Sequence, residues 1–298
     1  FVAEGNRSTI AHLTAEKLRA MRFPFPPPEE QRAIASFLDR KSSAIDELIK
    51  KKERLVELLQ EKRQALVIQA VTKGIDQNAP MKDSGVDWIG AIPRHWRLLP
   101  VKRIGWFTGG AGFPDEEQGR LSLDLPFYKV KDLGSGAIDF PESADNTIDK
   151  QTARRLHATI FPAGSIVFAK IGAALLLRRF RMLKVPACID NNMMGWVPDE
   201  RLVDPCYAHL ATALLPFDLL VNPGTVPSLS GASFGAQLIP VPELNEQRRI
   251  CEHVTAATLE ADKLIALNQE VVTRLREYRQ TLISAAVTGQ LDPSKEAA

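Results

Sequence analysis

The strongest constraint on this chain is that it says the same thing twice. Phe23 to Ile34 (FPFPPPEEQRAI) matches Ile239 to Ile250 (IPVPELNEQRRI), with Gln31 and Gln247 lying 216 residues apart. The same offset pairs Asp46–Ile49 with Asp262–Ile265, Arg63–Leu66 with Arg279–Leu282, Ala70–Thr72 with Ala286–Thr288, and Asp76 with Asp292. Upstream it pairs Thr9 and Ile10 with Thr225 and Val226, and Leu13 with Leu229. No gap is needed, so the two stretches are copies of one structural unit separated by an insert.

Each copy reads as a long helix. Apolar residues recur at steps of three and four: Ile34, Leu38, Ile45, Leu48, Leu55, Leu59 and Leu66 in the first copy. In the second they fall at Ile250, Val254, Ala257, Ala261, Leu264, Val271, Leu275, Tyr278, Leu282 and Ala285. That spacing is the seam of a coiled coil. Lys52 and Asn268 occupy one seam position, 216 apart. Two readings stay open for them: a polar residue tolerated where water reaches, or a pin that fixes register. Pro27, Pro28, Glu29 and Glu30 suit a helix start, Asn245 suits an N-cap, and Gly74 and Gly289 suit stops. Glu29 to Thr72 would be roughly 66 Å long at ~1.5 Å per residue, a spacer or an assembly surface. The first helix leads into the insert and the insert returns into the second helix, so helices that pair along their seams pair antiparallel.

The insert, from about residue 77 to 238, is rich in Gly, Pro and short apolar runs. Phe127–Lys131 and Ser165–Ala169 read as strands, Pro162–Gly164 and Gly134–Gly136 as turns, and Leu210–Leu220 as a helix after Pro205. The fold class expected is α+β: a globular domain of short strands, flanked by two long helices forming an antiparallel coiled coil.

Charge in the insert is segregated. Asp115 to Asp149 holds nine acidic and three basic residues, whereas Lys150 to Lys184 holds eight basic and no acidic residue. The whole chain is only +2, so any affinity for phosphate backbone comes from this local separation. Lys170, Arg178, Arg179 and Arg181 are the leading candidates to contact nucleic acid. Arg178–Arg181 (RRFR) is the densest cluster and follows the apolar turn Ala173–Leu177. Arg154 and Arg155, and Lys129 and Lys131 on the expected strand, are further candidates. A solvated face whose charges cancel in three dimensions is the plainer reading of the same residues.

Other chemistry is hard to find in the sequence. There is no phosphate-cradling Gly-x-x-x-x-Gly-Lys-Ser/Thr loop. Phe107–Gly112 (FTGGAG) has glycines at the wrong spacing for a dinucleotide loop, and a plain Gly turn is the simpler reading. The five histidines have no Cys or carboxylate companions at metal spacing, and no Ser/His/Asp or Cys/His set stands out. No catalytic residue, metal or cofactor is expected. Three scattered cysteines suit a reducing compartment, and the apolar run Leu210–Val221 is too short to span a bilayer. The expected location is the cytoplasm.

Met81 to Trp96 (MKDSGVDWIGAIPRHW) resembles the phrase that opens a target-recognition domain in specificity subunits of type I restriction-modification systems. Residues 24–31 and 240–247 resemble the phrase that closes such a domain and enters its helix. Ile160–Gly172 (IFPAGSIVFAKIG) is similar to an internal strand segment of that family, with Ser165 where Asp is common. The resemblance implies two recognition domains held apart by antiparallel helices, each reading one half of a split site in double-stranded DNA. It implies methyltransferase subunits docked on the helices and restriction subunits joined through those. Lys51, Lys52, Glu57 and Glu61, on the outer face of the first helix, are the interface candidates.

Against that pattern, residues 1–22 match only the tail of a first recognition domain. Residues 23–76 then form the central spacer, 77–238 a complete recognition domain, 239–292 the second spacer and 293–298 a tail. The chain opens at Phe1, so it is expected to be a fragment, or a half-type subunit that associates with a second copy. The competing reading is a coiled-coil scaffold whose globular domain binds protein.

Overall fold

The computed structural model describes residues 15–20, 25–134, 140, 144–222, 224 and 226–291. The tails at residues 1–14 and 292–298, and most of the Gly134–Gly136 turn, lie outside these. After the short helix α1 (Ala15–Ala20), one helix dominates each end: α2 (Pro28–Lys73) and α8 (Leu244–Val287). Between them run β1 (Met81–Asp83), β2 (Ala91–Pro93), β3 (Arg97–Pro100), β4 (Gly105–Gly109), β5 (Leu125–Tyr128), β6 (Thr147–Ile148) and α3 (Lys150–Arg155). Next come β7 (Ile166–Ala169), α4 (Ala173–Leu176), β8 (Arg181–Met182), β9 (Cys188–Ile189) and β10 (Met193–Pro198). The last are α5 (Pro205–Ala211), α6 (Phe217–Leu220), α7 (Gly231–Ala236) and β11 (Leu238–Val241). The fold is α+β, and the chain divides into two compact units: residues 1–59 with 263–298, and residues 60–262.

In the first unit the two helix segments pair antiparallel. Asp46 meets Arg279 at 3.3 Å and Glu53 meets Arg276 at 2.7 Å, so one number rises as the other falls. Phe37, Ile45, Ile49, Val272 and Leu282 form the core, with Leu38, Leu275 and Leu291 packed against it. The seam differs from the expected one at alternate positions. Leu48, Leu55 and Leu264 are 41, 39 and 40% exposed, while Ile49 and Val272 are buried. A pair of helices covers one narrow strip of each; here Ile49 takes the strip and Leu48 beside it flanks outward, and Val272 takes it in place of Val271. Asn268 is buried and donates to the Leu264 carbonyl of its own helix at 2.7 Å, so it spends its amide locally instead of pinning register across the seam. Gln31 closes the helix entry by donating to the Pro26 carbonyl at 2.7 Å.

The second unit repeats these devices with a core added. Arg63 meets Asp262 at 2.7 Å; these are the repeat counterparts of Arg279 and Asp46, so the same pairing is made once in each unit. Gln247, fully buried, donates to the Pro242 carbonyl at 2.8 Å as Gln31 does to Pro26, and also reaches the Leu202 carbonyl and the Asp204 amide. Gly74 ends α2 at φ +72°, a left-handed conformation that glycine adopts without a side-chain clash. Val67, Ala70, Val71, Ile250, Cys251 and Val254 enter one core with Ile92, Trp96, Phe168, Trp196, Tyr207 and Phe234. The Tyr207 hydroxyl ties this together by donating to the Pro240 carbonyl at 2.9 Å.

The main sheet is antiparallel in the order β4-β10-β7-β8; β1 pairs β2, and β3 pairs β11. A small mixed sheet, β6-β5-β9, has β5 and β9 parallel. Two sequence expectations change here. The Phe127–Lys131 strand stops at Tyr128, and Val130–Leu133 forms a 3-10 turn closed by Asp132, whose carboxylate accepts from the Lys129 amide at 2.7 Å. The Leu210–Leu220 helix is broken: α5 ends at Ala211 and α6 starts only at Phe217. Pro216 is the cause, because it lacks an N–H and drives Leu215 into extended backbone, ψ 127°. Among the described residues no helix is long and apolar enough to cross a membrane.

Candidate nucleic-acid interface

The acid-free stretch folds as two separate pieces. Residues 150–155 are α3, whose Asp149 carboxylate caps the Thr152 amide at 2.6 Å. Residues 166–182 are the β7–β8 hairpin, whose long connection carries α4 and the arginine cluster. Ala153 packs with Leu125, Phe127, Ile148 and Cys188, whereas Val167, Ala169 and Leu183 pack with Tyr128, Phe140, Phe161 and Met193.

The acidic stretch neutralises part of the basic one. Arg155 is bound to Glu117, a buried carboxylate, and Arg120 lies 2.9 Å from the other Glu117 oxygen. The Glu117 hydrogen bond raises the Arg155 pKa, so this guanidinium is already committed. Lys131 is held 2.6 Å from Asp145, and that hydrogen bond raises its pKa and lowers that of Asp145. Lys129 donates to the Gln118 side-chain carbonyl at 2.9 Å. Arg181 donates to the carbonyls of Phe180 and Gly134 at 2.8 and 3.2 Å. Burial first, and then the neighbouring Arg179, pull its pKa down.

What remains is a smaller cationic set. Among the described residues Lys170, Arg179 and Arg154 make no ion pair. Lys170 sits at the end of β7 beside Gly109 of the glycine-rich segment; a side chain at 109 would meet its Nζ at 2.5 Å. Gly110 passes so close over Ile189 and Asp190 that a Cβ would lie 2.1 and 2.2 Å from their carbonyl oxygens. Gly110 of the Phe107–Gly112 segment therefore serves a close backbone crossing. Arg178 is exposed, with left-handed backbone at φ +49°. Leu176 and Leu177 just before it are also exposed, and sequence reasoning did not single them out. The signal was the run of three leucines, of which a single helical turn can bury only one.

On the helices, Lys51 is paired with Glu47 at 2.6 Å and Glu57 with Arg54 at 2.8 Å, both on exposed surface; Lys52 is half-buried and Glu61 exposed. Beside them stand the exposed leucines 48, 55 and 58.

One group of metal-ligand type occurs among the described residues: Asp204, Cys206 and Cys251. Ordinary roles account for it. Asp204 caps α5 by accepting from the Cys206 amide at 2.9 Å, and faces Arg248 at 3.7 Å. A hydrogen bond with Cys206, and then burial, hold the Cys251 thiol far above its usual pKa; burial alone pushes Cys188 up to about 12. Both stay protonated near neutral pH and are poor nucleophiles. His95 is bound to Glu246 at 2.9 Å and His209 to the Phe180 carbonyl at 3.2 Å.

Residues 2–58 match a family described as the type I restriction modification DNA specificity domain. The chain is 22% identical over 298 residues to the type I restriction enzyme MjaVIII specificity subunit of Methanocaldococcus jannaschii, covering 95% of this chain and 65% of that one. It is 24% identical over 211 residues to the EcoR124I/EcoR124II specificity subunit of Escherichia coli, covering 68% and 48%. This chain thus spans less than two thirds of the length of these relatives. A structure described for complex assembly and conformational transition of the type I R-M system superposes with TM-score 0.66, at 16% identity and over 96% of this chain and 66% of that one. The HsdS subunit from Thermoanaerobacter tengcongensis does so with TM-score 0.51, at 16% identity and over 97% and 66%.

Proposed function

We propose that the chain is a specificity subunit of the type I restriction-modification kind and that its globular unit reads one half of a split site in double-stranded DNA. The chain carries no catalysis of its own. Its helices dock methyltransferase subunits through the exposed apolar and charged flank around Lys51, Lys52, Glu57 and Glu61, and restriction subunits join through those. Such a complex works on DNA in the cytoplasm. If the chain acts as a half-type subunit, a second copy supplies the other half-site.

The observation that carries the DNA reading is the β7–β8 hairpin. Among the described residues it presents Lys170 and Arg179 without ion pairs, in a segment with no acidic residue. Cations already spent on protein carboxylates release few counterions, whereas cations like these release one for each phosphate they meet.

The test is co-expression with the methyltransferase subunit. The methylated positions in host DNA give the site, and duplex binding is then measured across a salt series. The expected result is a modified split sequence and an affinity that falls steeply with salt. A stable complex that neither modifies nor binds duplex would refute the reading in favour of a protein-binding scaffold.

A further inference from the structure

The β7–β8 connection does more than collect charge. Leu175 is buried and anchors the single turn α4, and Phe180 anchors the exit into β8. Between these anchors Leu176 and Leu177 are 56 and 55% exposed, side by side. Helical geometry makes this unavoidable: successive side chains are ~100° apart, so one turn buries one leucine of three. Nothing in that geometry requires the next two positions to be leucine.

The loop is also braced. The Gly172 amide donates to the Pro227 carbonyl at 2.8 Å, and the Leu229 amide to the Lys170 carbonyl at 2.8 Å. The Leu177 and Arg178 amides close the turn onto Ala174 and Leu175 at 3.3 and 3.1 Å. Gly172 enters it at φ +81° and Arg178 leaves it at φ +49°. A left-handed arginine is uncommon, and such backbone concentrates at working surfaces. The apolar tip is therefore braced, and it is followed at once by Arg178 and Arg179 in a stretch whose sequence has no carboxylate between residues 150 and 184.

We propose that Leu176 and Leu177 form a wedge that enters the duplex at a base step, partly unstacks it and bends the DNA, while the flanking cations hold the adjacent phosphates. The inference rests on the DNA-binding reading above and adds the mode of contact. Charge complementarity selects this occupant. A protein partner for an apolar tip tolerates either sign around it, whereas a tip followed directly by two arginines, in a stretch whose sequence has no acidic residue and in which Lys170 and Arg179 make no ion pair among the described residues, repels basic surfaces and suits a polyanion. Rigid apolar wedges of this kind unstack base steps at the minor groove. The wedge also gives specificity without base-edge hydrogen bonds, because steps differ in the cost of being opened.

The experiment uses the complex with the methyltransferase subunit and a duplex carrying the modified site, with 2-aminopurine placed in turn at each position of the half-site. The wild-type complex should raise fluorescence at one step and bend the duplex in an end-to-end energy-transfer measurement. The double variant Leu176→Ser, Leu177→Ser should lose both signals and bind roughly tenfold more weakly, since it forgoes the buried apolar area, with its salt slope unchanged. Leu176→Met, Leu177→Met should restore the signals, which separates wedge chemistry from misfolding. Arg179→Ala should do the reverse, flattening the salt slope while keeping the fluorescence change. A Ser variant that binds and distorts DNA like wild type overturns the wedge and leaves the DNA reading standing. A wild-type complex that binds no duplex overturns both.

Discussion

Gln247 and Gln31 are the same residue of the same repeated phrase in two different surroundings, and substituting each by Ala separates motif from environment. Gln247 is fully buried; its amide donates to the Leu202 and Pro242 carbonyls at 2.9 and 2.8 Å, and its oxygen accepts from the Asp204 amide at 2.8 Å. Gln31 is half-exposed and makes the Pro26 contact at 2.7 Å. A net hydrogen bond is worth about 1 kcal/mol, and a buried donor left unpaired costs at least that. Gln247→Ala should therefore destabilise residues 60–262 by about 3 kcal/mol, roughly 6–12 °C in Tm for a unit of that size. Gln31→Ala, where water replaces the lost partner, should cost less than about 1 kcal/mol. All four tryptophans lie in residues 60–262, so their fluorescence during denaturant unfolding reports that unit, and far-UV circular dichroism reports the helices. Equal losses from the two substitutions would mean that the helix-entry motif alone carries the energy, and that the reasoning from burial is wrong.

Ile49→Asp buries a charge in the first unit and should cost on the order of 3–5 kcal/mol, whereas Leu55→Asp, at a position 39% exposed, should cost under about 1 kcal/mol. Thermal melts that rank them the other way would restore the seam expected from periodicity. In duplex binding, Lys170→Ala and Arg179→Ala should each flatten the log–log salt slope by about one, while Arg155→Ala and Lys131→Ala should leave it nearly unchanged because Glu117 and Asp145 already hold those charges. Equal slopes across all four variants would refute that sorting. The Thr152 hydrogen bonds hold the Asp149 carboxyl below its ordinary 3.8, so its contribution is present above that pH and fades as pH falls through the depressed value. Asp149→Asn, which still caps α3, should flatten the acid limb of stability against pH; an unchanged acid limb would exclude Asp149 as its source.

The long helices were legible because their signals are local: a sustained three-and-four spacing, prolines and acids at the start, a glycine at the end. The seam was misassigned because Leu48 and Ile49, or Val271 and Val272, are both apolar, and periodicity cannot tell neighbouring apolar residues apart. A charge signal could have done so. Asp46 with Arg279 and Asp262 with Arg63 occupy repeat-equivalent positions, and requiring both pairs to form fixes the antiparallel register. The break at Pro216 was readable from the residue itself. The fates of Arg155 and Lys131 were not, since their partners lie 38 and 14 residues away and meet them only through the small mixed sheet and its loops. Charge segregation along a sequence survives folding only where the two segments do not pack together. That condition fails for α3 and leaves the hairpin loop.

A repeat that pairs antiparallel with itself presents related outer faces twice, and the differences between the copies become differences between docking sites. Leu48 and Leu264 are counterparts and both are exposed, so an apolar contact is common to the two faces. Around it the copies diverge: Lys51 and Glu57 correspond to Leu267 and Thr273, 216 residues on, while the half-buried Lys52 corresponds to the buried Asn268. Leu267 is exposed, and the Lys51–Glu47 ion pair has Leu267 and Lys263 in its place. On the proposed reading, two methyltransferase subunits meet the same apolar anchor with a charged rim on one copy and a more apolar rim on the other. Exposed ion pairs weaken with salt, and apolar contacts do not. Rising salt should therefore release the two subunits in two steps, resolved by analytical ultracentrifugation of the purified complex. Lys51→Glu with Lys52→Glu should abolish the salt-sensitive step and leave one subunit bound. Leu264→Asp with Leu267→Asp should remove the other and leave the salt-sensitive one. Loss of both subunits in a single step, or from either double variant alone, would show that the faces act as one site and that the divergence between the repeats has no part in docking.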